Sequence, residues 1–257
     1  MENKITNSAM LADIKKDYIE KRKAFKRRIL VCGGAGCISS HCGEVQEALK
    51  MSLAEHQLES EVEILVTGCM GTCAAGPVLL VEPDGIFYTA MNPQKVADLV
   101  ERHLIGGEVC EEYTFYDAEE ERYIPKLDDI NFFKEQVRIA LRNCGRMEFA
   151  SMEAYIARDG YAAAAKALDG LSREEVVEIM KASGLRGRGG AGFPTGIKWE
   201  SGLKAVSEDG QKYMVCNADE GDPGAFMDRS VLEGDPHTIL EAMTIAGYAV
   251  GAHQGYI

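Results

Sequence analysis

Four cysteines in two short glycine-rich segments constrain this chain of 257 residues more than any other feature of its sequence. Cys32 and Cys37 are separated by four residues, and Cys69 and Cys73 are separated by three. Each pair directly follows a short apolar stretch that favours a β-strand. Loops at the ends of neighbouring strands can bring four thiolates into one small volume, because glycine lets the backbone wrap closely and leaves amides to stabilise the sulfurs. The pattern therefore predicts a site built from these four sulfur atoms.

The residues alone leave more than one kind of sulfur site open. Four thiolates suit either a tetrahedral zinc ion or an iron–sulfur cluster. Structural zinc usually uses cysteine pairs with a two-residue spacing, which neither pair here has. A thioredoxin-type disulfide needs Cys-x-x-Cys, which is absent from the sequence. Cys42 repeats the four-residue spacing after Cys37, but its place inside an expected helix predicts a buried or spare thiol.

The order of apolar segments around these cysteines predicts a small thioredoxin-like α/β sandwich. An Asp-Gly pair at 84–85 separates two apolar runs and indicates a hairpin. Asn92 followed by Pro93 is typical of the start of a helix. The expected elements follow the order β-α-β-β-β-α, over residues 29–31, 39–58, 62–66, 77–81, 86–90 and 92–105.

We expect four segments along the whole chain. They are a basic N-terminal helix (1–28), the thioredoxin-like domain (29–107), an acidic linker with a short helix over Phe132–Asn143 (108–148), and an α/β domain (149–257). The sequence shows no signal peptide and no run of apolar residues long enough to cross a bilayer, so we expect a cytoplasmic protein without membrane insertion. In that compartment, eight cysteines favour metal or redox chemistry over disulfides. Residues 1–29 carry nine Lys and Arg against four Asp and Glu, but the net charge of −13 makes nucleic acid an unfavourable partner.

A second glycine-rich segment, Gly187–Gly192, matches the G-x-G-x-x-G pattern of dinucleotide-binding folds. That motif requires a preceding strand, whereas this segment follows a helix expected to begin at Ser172 and to end near Gly184. We therefore reject a Rossmann fold. The segment still offers open backbone amides and basic side chains, and it leads into a helix near Thr195 whose N-terminus can hold phosphate.

Three motifs resemble those of known families. The four cysteines with their spacing are similar to the thioredoxin-like [2Fe-2S] ferredoxins. The stretches Gly184–Trp199 and Cys216–Arg229 resemble the two FMN/NADH-binding signatures of the complex I flavoprotein family. The fused [2Fe-2S] module and the variant Gly221-Asp222 are most like the β-subunits of NAD(P)-linked, often electron-bifurcating, [FeFe]-hydrogenases and the diaphorase subunits of formate dehydrogenases.

The resemblance implies roles for particular residues. A [2Fe-2S] cluster is expected on Cys32, Cys37, Cys69 and Cys73. The residues expected to bind FMN are Gly187, Arg188, Gly189, Gly190, Gly192, Lys198, Asn217, Asp219 and Glu220. Phe193 is expected where NADH stacks. Glu220 and Asp222 are expected to be catalytic, Asp222 standing where the family has a longer glutamate at the nicotinamide end.

The implied function is that of an iron–sulfur flavoprotein subunit that oxidises NAD(P)H, or reduces NAD(P)+, and exchanges single electrons with a partner. The expected partners are other subunits of a soluble hydrogenase, formate dehydrogenase or NADH dehydrogenase complex. The family's [4Fe-4S] ligands would lie beyond Ile257, so this chain alone is expected to bind [2Fe-2S], to hold FMN weakly or not at all, and to be inactive by itself. The alternatives are a non-enzymatic [2Fe-2S] electron-transfer module and a zinc-binding assembly subunit.

Overall fold

The computed structural model describes residues 4–257, which divide into two compact units. We call residues 17–154 and 229–235 the cysteine unit, because they include the four cysteines. The glycine-loop unit comprises the described residues up to Lys16 together with Tyr155–Asp228 and Pro236–Ile257. The boundaries of the four segments expected from the sequence remain predictions.

The first part of the chain forms the helices and strands α1 (Ser8–Arg22), β1 (Arg27–Cys32), α2 (Ala35–Ser39), α3 (Cys42–Glu55), β2 (Val62–Thr67), β3 (Leu79–Glu82), β4 (Ile86–Tyr88), α4 (Pro93–Asp98), β5 (Phe115–Asp117), β6 (Arg122–Ile124) and α5 (Asn131–Lys134). A π-helical segment, Leu99–Ile105, continues α4. The second part forms α6 (Met152–Ala157), α7 (Ala162–Gly170), α8 (Arg173–Ala182), α9 (Thr195–Lys204), β7 (Tyr213–Val215), α10 (Met227–Gly234), α11 (Pro236–Val250) and β8 (Gln254–Tyr256).

A four-stranded sheet in the order β2-β1-β3-β4 organises the cysteine unit. Strand β1 is parallel to β2 and antiparallel to β3, and β4 pairs with β3 across the predicted Asp-Gly hairpin. Cys32, the last residue of β1, lies opposite Thr67, the last residue of β2. The two cysteine loops therefore leave the sheet at the carboxyl ends of two neighbouring parallel strands, which brings their thiols together. The thioredoxin-like α/β fold is confirmed.

Helices cover this sheet much as the sequence predicts. The apolar side of α3 (Val45, Leu49 and Leu53) is buried in the core. The Asn92 side chain accepts a hydrogen bond from the Lys95 amide at 3.0 Å and caps α4, as expected. The predicted single helix from residue 39 is wrong in one respect: His41 has a φ of +66°. Because this left-handed residue cannot continue a helix, α2 ends before it and α3 begins after it.

The segment between residues 108 and 148 is more ordered than the linker expected there. Strands β5 and β6 form a hairpin. The predicted helix over Phe132–Asn143 is wrong, since α5 ends at Lys134. Val137 and Ile139 are 89% and 73% exposed, so an extended helix would have no buried apolar side to stabilise it.

Ion pairs engage much of the basic run near the N-terminus. The Arg22 and Arg28 guanidinium groups lie 3.1 and 3.6 Å from the Glu63 carboxylate, and Arg27 lies 2.9 Å from Asp84. These pairs leave less free positive charge for an anionic partner than the sequence suggests. None of the helices within residues 4–257 combines the length and the apolar composition needed to span a bilayer.

Helices dominate the glycine-loop unit. Ala249 of α11 is buried with Val176 and Val177 of α8, and Trp199 of α9 packs against the same core. The predicted capping box at Ser172 is present, with both reciprocal hydrogen bonds to Glu175. Strands β7 and β8 pair in parallel. The glycine-rich segment follows α8 rather than a strand, which agrees with the rejection of a Rossmann motif.

Candidate functional site

The cysteine unit brings the four predicted sulfur ligands together. Cys69 Sγ lies 3.9 Å from Cys73 Sγ and accepts a hydrogen bond from the Gly71 amide at 3.3 Å. The Cys32 thiol interacts with the thiols of both Cys37 and Cys69. The sulfur atoms therefore form a continuous group in the order 37-32-69-73. Cys32 and Cys37 are buried, whereas Cys73 is exposed.

Glycines hold the two cysteine loops against each other. A Cβ atom on Gly34 would lie 2.8 Å from the Cys69 Cβ, and one on Gly36 would lie 2.8 Å from the Cys73 Cβ. Real Cβ atoms do not approach so closely, so both positions require glycine. The sequence indicates glycine-rich loops, but only the fold shows which glycine faces which cysteine.

The thiols influence one another's protonation. The hydrogen bond with Cys37 raises the pKa of Cys32 to about 11, and the same bond lowers the pKa of Cys37. The hydrogen bond with Cys32 and burial raise the pKa of Cys69, and burial raises that of Cys73. Three of the four sulfurs thus have a raised pKa, because hydrogen bonds with neighbouring thiols and burial both favour the protonated form.

This donor set fits the cluster that the sequence suggests. Iron ions replace thiol protons and supply the positive charge that crowded thiolates need. Four cysteine sulfurs are the usual ligands of a [2Fe-2S] cluster. Within residues 4–257, no three His, Cys, Asp or Glu side chains converge as a site for a single metal ion.

In the glycine-loop unit, hydrogen bonds close the base of the second glycine-rich segment. The Gly187 amide donates to the Phe193 carbonyl at 2.8 Å, and the Arg186 guanidinium donates to the Gly192 carbonyl at 3.0 Å. The tip between them is exposed, and Gly190 has a φ of +97° that favours glycine. The loop thus presents backbone to solvent directly before α9, so its amides are open to a ligand.

The remaining predicted flavin residues lie in the same unit. Arg188, Lys198 and Phe193 are exposed. The side-chain oxygen Oδ1 of Asn217 accepts a hydrogen bond from the Asp219 amide at 2.9 Å and shapes the turn that follows β7.

Glu220 and Asp222 lie in the segment between that turn and α10. One Glu220 carboxylate oxygen accepts a hydrogen bond from the Asp228 amide at 2.9 Å, in the first turn of α10. The Asp222 carbonyl accepts from the Ala225 amide at 3.1 Å. The roles assigned to these residues remain predictions.

One packing feature of the cysteine unit has no sequence signal. A Cβ atom on Gly68, directly before Cys69, would lie 2.5 Å from the Gly234 Cα. The Cys144 thiol donates to the Ser230 carbonyl at 3.4 Å nearby. The end of α10 therefore supports the second cysteine loop from a position far along the chain.

Comparison with known proteins assigns both parts of the chain. Residues 17–103 match the family of thioredoxin-like [2Fe-2S] ferredoxins, and residues 180–257 match the Nuo51 FMN-binding domain. The chain thus combines a thioredoxin-like [2Fe-2S] ferredoxin domain with residues that match an FMN-binding domain. This confirms the resemblance to the complex I flavoprotein family with a fused [2Fe-2S] module.

Curated relatives include components of two kinds of complex. The HndC subunit of the NADP-reducing hydrogenase of Solidesulfovibrio fructosivorans is 60% identical over 124 residues, which are 48% of this chain and 24% of the relative. The matching component of the NADH-quinone oxidoreductase of Aquifex aeolicus is 44% identical over 121 residues, 47% of this chain and 28% of the relative. The chain therefore spans about a quarter of the length of these relatives.

Two solved structures also match parts of the chain. A thioredoxin-like [2Fe-2S] ferredoxin from Aquifex aeolicus is 34% identical, with 35% of this chain and 90% of that chain covered and a TM-score of 0.32. An NAD+-reducing [NiFe]-hydrogenase is 18% identical, with 97% of this chain and 42% of that chain covered and a TM-score of 0.36.

Proposed function

We propose that this protein is an iron–sulfur flavoprotein subunit that oxidises NAD(P)H, or reduces NAD(P)+, and exchanges single electrons with a partner. The observation that carries the proposal is the group of four thiols, built into the same chain as an FMN-binding domain. When bound, FMN exchanges an electron pair with NAD(P)H and single electrons with a [2Fe-2S] cluster. A chain that held both cofactors would therefore couple two-electron chemistry to one-electron transfer.

In this proposal Cys32, Cys37, Cys69 and Cys73 are the ligands of the [2Fe-2S] cluster. Glycine contacts hold their two loops against each other, which keeps the four sulfur atoms in one region of the unit. The raised thiol pKa values predict that cluster assembly releases protons and is favoured at higher pH.

We assign the flavin side to the exposed glycine-rich loop and the turn after β7. Arg188, Lys198 and the loop amides would hold the FMN phosphate, while Asn217 and Asp219 would bind polar groups along the ring. The other assigned loop glycines are Gly187, Gly189, Gly190 and Gly192.

We assign the nucleotide end to Phe193, Glu220 and Asp222. The exposed Phe193 ring offers a stacking surface for NAD(P)H. The two carboxylates would position the nicotinamide for hydride transfer.

The partner in this proposal is another subunit of a hydrogenase or NADH dehydrogenase complex, and a formate dehydrogenase is a third candidate. The names of the curated relatives, which describe components of the first two kinds of complex, support the first two. We further propose that the [4Fe-4S] cluster of the family is bound outside these residues, and that the protein acts in the cytoplasm.

The first experiment tests the cluster. Anaerobically purified chain should contain about two iron and two sulfide per protein, with a rhombic EPR signal after dithionite reduction. Cys69→Ala should abolish the signal, whereas Cys42→Ala should keep it, because Cys42 is a buried thiol outside the ligand set. Zinc in place of iron would contradict the proposal and favour the zinc-binding alternative.

The second experiment separates a flavoenzyme from a non-enzymatic electron-transfer module. FMN binding is measured by quenching of flavin fluorescence. Arg188→Ala and Lys198→Ala should each weaken it about tenfold, the usual loss for one charge-assisted phosphate contact. Lys166→Ala, which removes a lysine elsewhere in the glycine-loop unit, should leave it unchanged. If none of the three changes FMN affinity, the electron-transfer module becomes the better description.

A further inference from the structure

The second cysteine loop contains a buried hydroxyl group that the protein does not satisfy. Thr72 Oγ1 is buried and has no hydrogen-bond partner among residues 4–257. A buried polar group left without a partner costs about 1–3 kcal/mol. Native structures rarely accept this cost unless another molecule completes the hydrogen bond.

The position of Thr72 indicates what that molecule is. Thr72 directly precedes Cys73 and lies within the loop that begins at Cys69, and the two sulfur atoms are 3.9 Å apart. The Thr72 backbone is fixed, because its carbonyl accepts a hydrogen bond from the Ala75 amide at 2.9 Å. Thr72 thus lies between two proposed ligands along the chain, and a bound cluster would bring sulfur acceptors to the loop that holds its unpaired hydroxyl.

We propose that the Thr72 hydroxyl donates a hydrogen bond to a sulfur atom of the bound [2Fe-2S] cluster and raises its reduction potential. This inference rests on the proposed function, since it requires the cluster. Reduction adds one negative charge to the cluster, so a hydrogen bond to sulfur stabilises the reduced form more than the oxidised form. Thr72 is thus a residue that tunes the cluster without binding iron.

Three variants of the full chain test this inference. Thr72→Val removes the hydroxyl at nearly constant volume and should disfavour reduction about tenfold, which lowers the potential by about 59 mV for one electron. Thr72→Ser keeps the hydroxyl and should stay near the wild-type potential. Thr114→Val makes the same change at a hydroxyl that donates to the Glu111 carbonyl at 2.7 Å, and should leave the potential unchanged. EPR-monitored redox titration measures all four proteins.

A second measurement keeps the inference testable if Thr72→Val fails to bind iron. Pulsed EPR of the reduced wild type should detect a strongly coupled exchangeable proton that Thr72→Ser retains and Thr72→Ala lacks, which distinguishes it from the Gly71 amide proton donated to Cys69 Sγ. A wild-type cluster without such a proton, or a loaded Thr72→Val with the wild-type potential, would overturn the role of Thr72. A wild type that contains no iron or sulfide would instead refute the proposed function itself.

Discussion

The buried carboxylate of Glu241 should contribute more to the stability of the glycine-loop unit than any exposed charge there. Glu241, on α11, is only 7% exposed. One of its oxygens accepts hydrogen bonds from the Tyr155 hydroxyl and, at 2.9 Å, from the Tyr161 amide. The other accepts from the Ala164 amide at 3.0 Å, in the first turn of α7. The side chain thus caps α7 and ties it to α11.

The magnitude follows from these three donors. A hydrogen bond to a charged acceptor contributes about 1.5–3 kcal/mol, and neighbouring bonds are not additive. We expect Glu241→Ala to lower the free energy of unfolding by about 3–5 kcal/mol, because it leaves buried donors unpaired. Glu241→Gln should cost less, about 1–3 kcal/mol, because its amide oxygen still accepts while its NH₂ group cannot.

The chain offers a probe specific to this unit. Its single tryptophan, Trp199, packs against the core of the glycine-loop unit, so its fluorescence during urea unfolding reports on that unit. Glu174→Ala removes an exposed carboxylate from the same unit and should change the free energy by no more than about 0.5 kcal/mol. A loss below about 1 kcal/mol for Glu241→Ala would refute the argument that its hydrogen bonds matter.

Two further predictions concern the cysteine unit. Burial lowers the pKa of His103 in the folded state. At a pH below about 6.5, the ordinary pKa of histidine, the unfolded state therefore binds more protons than the folded state. The free energy of unfolding should therefore fall as the pH drops below about 6.5. Urea titrations between about pH 5 and 7 should show that this free energy depends less on pH in His103→Gln than in the wild type. The same pH dependence in both proteins would contradict the prediction. Gly36→Ala should prevent cluster binding, because its Cβ would lie 2.8 Å from that of Cys73, whereas Gly43→Ala, on open helix surface, should bind iron normally. Iron content of the two variants provides the check, and a fully loaded Gly36→Ala would show that the loops can separate.

Much of the local structure was predictable because its causes are local. The capping box at Ser172 and the cap at Asn92 each join residues three apart, and the Asp-Gly hairpin joins adjacent strands. The cysteine spacing indicated four sulfur ligands for the same reason, since each pair lies within one short loop. The expected helix over Phe132–Asn143 failed because its apolar residues found no core to pack against.

The sequence by itself thus determined the strands and main helices around the cysteines and the residue types of the candidate site. Only the tertiary structure decided which groups meet across long separations: Gly36 with Cys73, Gly68 with Gly234, and the Glu241 carboxylate with the start of α7. It also decided that the Thr72 hydroxyl is buried without a partner in the described chain. Such outcomes depend on which surfaces pack together, and no local pattern encodes that, because the energy of a contact arises only when both partners are in place.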